Sequence, residues 1–587
     1  MSVSSLTLLD LPVEIILAIL EDCGYQEILA CKLTCRRMYD TISGSISLRY
    51  LLELAANGMR DDHRSSLGKI QRLNLLAEHE TAWRTLSWSD NTSIDTLDGW
   101  GEPVSVSGNI IAFRNAYAKP DASSEELLLL RAPSKLRNVQ AKRWVVQLPP
   151  DTQDVCISSA QDLLVYRCGT KSFHFCSLST GEKHPLVQHS GTFEAANSWG
   201  YRVGSMRVYG DSFAIASEQG LYISTWNWKS GEQESDFMAS LQHSTFDFLD
   251  EHHILFPSSI DDSLYVYDTR AMPPMDSRRR KLKGTHCFEI SMPRFLSNHA
   301  ACGIELRCNS LSAGQDASPA SFHADPHQRM VTLLITAGPN PTGAHGHSRR
   351  GQCEIHARAS ALLAWTKMHP APPNASVVVP WSAWGPAAAR VVVPRVDDTI
   401  LCASKSKFLG SGMRVITPPS SRGDGTSVVT VMDYHPARVF RGLRAEKQRC
   451  HNSHTYRTAP TQHGTLAQAD PEWDNNKQGP RASTNSRSRS KSLPLPSFTS
   501  SAGVRGMSVT DVIKNLVFGG WNGPPQPRVR ETAVKKLQFL EKDIPLPQEL
   551  QLDNTRPVFD VLCEDAVMFY TIVPGRNTIQ DAHWYTF

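Results

Sequence analysis

LLDLPVEIILAILEDCGYQEILACKLTCRRMY, residues 8–39, is the stretch on which the fold turns. Asp10 is placed to cap a helix, and Pro12 then falls in the first turn, where a missing N–H leaves no bond unmade. Between residues 13 and 20 the helix is apolar nearly all round, through Val13, Ile15, Ile16, Leu17, Ala18, Ile19 and Leu20. A helix at the surface of a small domain needs one apolar stripe, so this one has two faces to bury. Gly24 ends it, a short segment follows over residues 26–30, and residues 32–42 give another helix carrying Leu33, Met38 and Ile42. Three helices in about 40 residues cannot cover that much apolar surface by themselves. The second surface is expected to be a partner protein.

Two runs in this stretch, L-P-x-E-I-x-x-x-I-L from Leu11 and I-L-x-C-x-x-x-C-R-R-x-Y from Ile28, resemble the F-box motif in order and spacing. The resemblance implies a three-helix F-box over residues 5–50. Such a unit docks on the Skp-type adaptor of a cullin-RING ubiquitin ligase and reaches the cullin through it. The adaptor contacts it implies are Leu11, Pro12, Ile15, Ile16, Ile19 and Leu20, with Leu29, Leu33 and Met38 contributing. Met38 departs from the aromatic that many members carry, but methionine fills irregular gaps and docking should survive. The plainer alternative is a helical hairpin that packs only on its own chain.

At 587 residues the chain is several times a typical domain and can bury more than one core. A formal net charge of +3 gives no bulk electrostatic reason to expect nucleic acid or a membrane surface. The 13 cysteines are scattered without a C-x-x-C pair, which reads as reduced thiols in a cytoplasmic or nuclear protein. The first residues lack a basic region and meet Asp10 and Pro12 too early for a signal peptide. No apolar run approaches the length of a membrane span.

Helical patterning continues through a linker over residues 51–90. Leu48, Leu51, Leu52 and Ala55 recur at helix spacing, and Gly58 closes that segment as a C-cap would. Leu67, Ile70, Leu73, Leu76, Trp83 and Leu86 mark a second helix. The runs L-x-Y-x-x-E-L-A-x-x-G-M (residues 48–59), R-L-x-x-L (72–76) and A-W-x-x-L-x-W (82–88) resemble those of one expanded group of fungal F-box proteins. That resemblance implies a helical linker handing over to a β domain.

From about residue 93 short strands and turns take over. Residues 154–168 and 172–178, closed by T-G-E at 180–182, form a hairpin and third strand. Residues 205–217 and 220–228 repeat the form, closed by S-G-E at 230–232, and residues 246–257 with 263–268 repeat it again. The starts lie roughly 40 to 50 residues apart, the period of propeller blades. The S/T-G-E ending resembles the third strand of a WD-type blade, without the G-H…W-D pair. Residues 91–440 are therefore expected to form a degenerate β-propeller, with a β-sandwich as the alternative.

Residues 309–325 and 338–350 read as loops or insertions, and strands resume at 376–379, 390–394, 414–417 and 428–434. Residues 448–505 are polar, include S-R-S-R-S-K-S, and read as a disordered low-complexity insert. Strands at 558–562 and 567–573, within 506–587, are expected to complete the β region. The fold class is α+β multidomain: three-helix F-box, helical linker, then a mostly-β degenerate propeller carrying a disordered insert.

An F-box receptor needs no catalytic residue of its own, so a search for chemistry tests the reading. Phosphate-loop, dinucleotide and nucleophile-elbow signatures are absent. Asp261 with Asp262, and Asp397 with Asp398, are adjacent carboxylates, but neighbours on a strand point to opposite faces and these read as solvated turns. Cys31 and Cys35 stand i, i+4 on a helix and could share a face, yet free cysteine is more often a small core residue than a zinc ligand. His299, Cys302, Cys308, His345 and His347 fall in loop-like sequence among 21 histidines and read as a chance cluster. The basic run RRRKLK at 278–283 is a solvated loop or a nuclear-import address. Without aromatic interleaving, S-R-S-R-S-K-S gives little reason to expect RNA binding.

The function expected is that of a substrate-receptor subunit in an SCF-type cullin-RING ubiquitin ligase, without catalytic residues, metal or cofactor. The F-box would take the Skp-type adaptor and the β domain a client protein, by proximity and not by chemistry. A scaffold that uses the adaptor without the ligase, or a propeller enzyme with a helical appendage, are the alternatives.

Overall fold

The computed structural model describes residues 8–435 apart from short stretches, together with 540–545, 558–562, 566–573 and 578–586. The longer stretches left out are 117–123, 195–202, 239–244, 272–287, 293–298, 309–319, 340–350, 369–376 and 393–409. The expected insert at residues 448–505, the basic run at 278–283, His345, His347 and both pairs of adjacent aspartates lie outside the described residues.

Helices α1 (Val13–Glu21), α2 (Tyr25–Thr34) and α3 (Arg36–Gly44) pack around Ile16, Leu20, Ile28, Met38, Ile42 and Leu48. Asp10 does not cap α1. It ends a short 3-10 turn, Leu8–Asp10, and Pro12 is the N-cap residue, extended at φ −53° and ψ 147°. A cap at Asp10 would have put Leu11 in the helix, but the residue before a proline is disfavoured there. Nor does α3 begin at Lys32. Residues 32–34 finish α2, and Cys35, extended at φ −157°, breaks the chain between the two helices. Helix α4 (Ile46–Asn57) is capped by Ser45, whose hydroxyl accepts from the Leu48 N–H, and it ends on Gly58 in the left-handed region at φ +64°. Helix α5 (Lys69–Thr85) follows the short strand Met59–Asp61.

The β region is a ring. Among the described residues it contains seven sheets, five of four strands and two of five. The first runs from Trp100–Ser107 outward through Ile110–Asn115 and Glu125–Arg131 to Lys142–Leu148. The second begins with Thr152–Ser158 and Leu163–Cys168, the third with Val203–Tyr209 and Ser212–Ser217, and the fourth with Asp247–Phe248 and His253–Ser258. His299–Cys308 and Met330–Pro339 open the fifth, and Gly410–Ser411 and Arg414–Ile416 the sixth. The seventh combines Val558–Leu562, Ala566–Val573 and Thr578–Thr586 with Asp90–Ser93, which pairs antiparallel along its outer edge.

An inner strand of each sheet touches an inner strand of the next, and Thr578–Thr586 of the seventh returns to Trp100–Ser107 of the first. Apolar side chains fill the spaces between neighbours. Ile111, Phe113 and Leu128 of the first sheet pack on Met568, Tyr570 and Trp584 of the seventh, and Phe173 and Phe175 of the second pack on Phe213 and Trp226 of the third. Each sheet face is thus covered by the next sheet, which is the β-propeller solution to closure.

The repeat seen in the sequence has a structural counterpart. The backbone N–H after each third strand donates to the turn of the first hairpin: Leu178 to Asp162 at 2.6 Å, Trp228 to Asp211 at 3.0 Å and Thr269 to His252 at 2.8 Å. The T-G-E and S-G-E turns match as well, with Gly181 and Gly231 both at φ +78°. A Cβ at Gly181 would meet Val146 Cγ1 of the neighbouring sheet at 2.7 Å.

Three features were not foreseen. Helices at Ala359–Met368 and Trp381–Ala388 pack Leu362 and Trp384 against the fourth and fifth sheets. The expected strand at 376–379 is present as Val377–Val379, and what was not foreseen is its place as a parallel fifth strand beside Phe288–Ser291. Part of the expected loop at 309–325 is the strand Phe322–Ala324, which pairs antiparallel with Met59–Asp61 of the linker.

Candidate partner-docking face and its junction with the ring

Helix α1 has one face too many for its own domain. Ile16 and Leu20, four residues apart, point inward and are each 1% exposed. Ile15 and Ile19, also four apart, point outward at 49% and 42% exposed, with Pro12 and Val13 exposed beside them. Leu33, near the end of α2, is 58% exposed. Leu11 and Leu29 are half-buried at the margin.

Of the nine residues assigned to a partner contact, the structure therefore leaves Pro12, Ile15, Ile19 and Leu33 on the surface and Leu11 and Leu29 partly so. Ile16, Leu20 and Met38 are buried in the module's own core and hold the helices that carry the others. A smaller second face than the sequence suggested remains, and α1 supplies most of it. Tyr39 is exposed as well, with the Lys32 ammonium 5.1 Å from its ring centre.

Cys31 lies in α2 and Cys35 between α2 and α3, so the two do not share a helix face. Burial raises the Cys31 thiol, and the nearby Cys23 and Glu27 raise it further, which keeps it protonated. Among the described residues no group of three or more His, Cys, Asp or Glu is placed to hold a metal ion.

The docking module is strapped to the ring through a buried polar junction. Asp62 is wholly buried; its carboxylate accepts from the Ala320 N–H at 3.1 Å, from the Arg64 N–H at 2.9 Å and from the Arg64 side chain, and lies 2.9 Å from His323 Nε2. Burial alone would raise this carboxyl, but the bonds from Arg64, His323 and Ala320 outweigh it and hold the group well below the usual carboxylate range. Asp61 accepts from the Tyr50 hydroxyl at 2.7 Å and pairs with Arg72 of α5. Tyr50, Leu54, Met59, Leu76 and Phe322 close over these charges as an apolar layer. Arg137, from the first sheet, approaches the Phe322 carbonyl at 3.3 Å. Farther along α5, Trp83 packs with Met413 and Val415 of the sixth sheet, and the Arg414 guanidinium stands 4.3 Å from its ring centre.

Of the expected stripe, helix α5 buries Leu76 and Trp83, with Leu73 partly buried against the same cluster, while Ile70 is exposed; Arg72 and His79 join the buried face. Because the surface it meets carries carboxylates and backbone carbonyls, polar side chains belong on its inner face. Sequence reasoning missed this junction entirely. The signal available was Asp61–Asp62 with Arg60 and Arg64 immediately after a helix-ending glycine.

Every ring element in the junction comes from the same end of the strands. Phe322 and Gln328 connect the first and second strands of the fifth sheet, Arg137 the third and fourth of the first, and His435 follows the third strand of the sixth. None of the described linker residues contributes to the opposite end of the ring.

The molecule is thus a helical module with an uncovered apolar face, fixed to one end of a β-propeller. Residues 8–50 match the family model of the F-box domain, so the chain carries an F-box ahead of its propeller. Among solved structures it is similar to the WD40 domain of coronin from Toxoplasma gondii, with 12% identity and a TM-score of 0.30 over 60% of this chain and 74% of that one. It is also similar to Hsv2p from Kluyveromyces lactis (13% identity, TM-score 0.23, 42% and 73% covered). Apo AztD from Citrobacter koseri is a further similar structure (11%, 0.21, 30% and 46%). A search of curated proteins gave no match. No helix among the described residues is long and apolar enough to cross a membrane.

Proposed function

We propose that this protein is a substrate-receptor subunit of an SCF-type cullin-RING ubiquitin ligase. The F-box takes a Skp-type adaptor, and through it the cullin, while the propeller holds a client protein by the end turned away from the linker. The observation that carries this reading is the outward stripe Pro12, Ile15 and Ile19 with Leu33, on a module whose core is already filled. Exposed aliphatic side chains gathered on one small unit mark a protein–protein contact. The receptor acts by proximity: binding raises the local concentration of client lysines beside a ubiquitin-loaded enzyme, and the chain itself supplies no catalytic group.

The test is affinity purification of the full chain from cells, beside a variant carrying Ile15→Asp and Ile19→Asp. Adaptor and cullin should both travel with the parent chain and be lost together from the variant. Adaptor without cullin would instead identify a scaffold that uses the F-box outside the ligase. Equal recovery from both proteins would refute the docking face.

A further inference from the structure

We propose that Asp61 and Asp62 are positioning residues that pin a hinge at Gly58, so that the docking face and the ring move as one body. Gly58 is the joint between α4 and the linker strand. Its left-handed backbone needs glycine, and a glycine at the end of a helix is free to swing unless its surroundings hold it.

Those surroundings hold it from both sides. The Gly58 carbonyl accepts from the Asp325 N–H at 2.8 Å, and a Cβ at Gly58 would lie 3.2 Å from His435 Cδ2. His435 is itself 2.6 Å from Gln328 of the fifth sheet. The next residues form only a three-residue pairing with Phe322–Ala324, and two strands of that length are marginal in water on their own. Side chains supply what the pairing lacks. Asp61 ends the linker strand and Asp62 follows it, and the two carboxylates reach different bodies. Asp61 reaches Tyr50 of α4 and Arg72 of α5, tying the strand to the helices. Asp62 reaches Ala320 and His323, tying the same strand to the ring. Arg60 adds a 2.9 Å pair to Asp325.

The functional meaning rests on the receptor reading. With the hinge pinned, the distance from adaptor to client is set by packed structure and not by the average of a flexible tether. Only lysines within reach of that fixed geometry are then modified.

Two full-length variants test the proposal, Asp62→Asn and Tyr50→Phe, the second removing one hydroxyl without leaving a buried charge. Amide hydrogen exchange is followed at Met59–Asp61 and Phe322–Ala324, with Leu163–Cys168 of the second sheet as the internal reference. In Asp62→Asn the junction amides should exchange roughly a hundredfold faster, the scale expected where a buried charge network loses a partner, and the reference strand should not change. Tyr50→Phe should show a smaller increase at the same amides. In a reconstituted ligase the variants should still bind adaptor but carry ubiquitin on a wider set of their own lysines. Unchanged junction exchange would overturn the proposal, and so would equal acceleration in the second sheet, which would make these residues general supports of the fold. The exchange measurement needs no adaptor. A parent chain that fails to bind adaptor would refute the receptor reading while the exchange result still decides the hinge.

Discussion

Asp62 and His323, 261 residues apart in the chain, meet across a 2.9 Å hydrogen bond in which the carboxylate is closed off from solvent. One lies in the linker and the other in the first hairpin of the fifth sheet, so this bond is one of those that join the helical and β parts of the molecule.

That bond gives the junction a pH dependence of definite sign. A carboxyl held below its unfolded value adds stability that is fully present above about pH 4 and is lost as the pH falls further toward the folded-state value. Lowering the pH from about 5 to about 3 should therefore accelerate amide exchange at Met59–Asp61 relative to the intrinsic rate of each amide, which itself falls over this range. In Asp62→Asn the acceleration should be largely absent, because the group that titrates is gone.

On the F-box, inward and outward positions of α1 should separate cleanly. Ile16→Ala and Leu20→Ala each remove a buried side chain from the core and should cost about 2–4 kcal/mol, read by denaturant unfolding. Ile15→Asp and Ile19→Asp alter exposed positions, should change stability by less than about 0.5 kcal/mol, and should abolish adaptor capture. Leu11→Ala with Pro12→Ala should also abolish capture while leaving the β region folded.

Gly181→Ala should destabilise the ring by about 1–2 kcal/mol from the left-handed backbone alone. The added methyl group would also press on Val146, in the neighbouring sheet. Thermal unfolding measures the sum, and an unchanged midpoint would contradict the geometry of this turn.

Removing everything after Arg505 should leave Asp90–Ser93 without its partner Thr578–Thr586 and Ser427–Asp433 without its partner Leu540–Pro545. Faces of the first and sixth sheets would be exposed together. The truncated chain should aggregate, and a soluble, cooperatively unfolding fragment would show that those strands are dispensable.

The F-box was legible because its signal is local. Apolar residues three and four apart in residues 8–39, bounded by Pro12 and Gly24, report a helix whatever the rest of the chain does. Which of those residues face inward was less legible, since Ile15 and Ile16 are chemically alike and only the placement of α2 and α3 tells them apart. The second and third sheets could be read from the T-G-E and S-G-E turns, where one glycine conformation leaves a visible mark. The first, fourth, fifth and sixth sheets carry no such turn, and although the strand at 376–379 could be read, its parallel pairing with Phe288–Ser291 could not. The junction was hidden for a different reason. Its charged residues read as solvated linker, and only partners hundreds of positions away make them a buried network.

The seventh sheet also orders events in time. Its outer strand, Asp90–Ser93, leaves the ribosome early, and the strand it must join, Thr578–Thr586, comes out last of all the strands described. At typical synthesis rates the wait is roughly half a minute to a minute and a half. Throughout it the F-box can already fold and meet its partner, while the growing row of sheets still shows an uncovered face at each end. Newly made chains should therefore be able to recruit before they can select, and they should depend on chaperones until the last strand slides in beside the first.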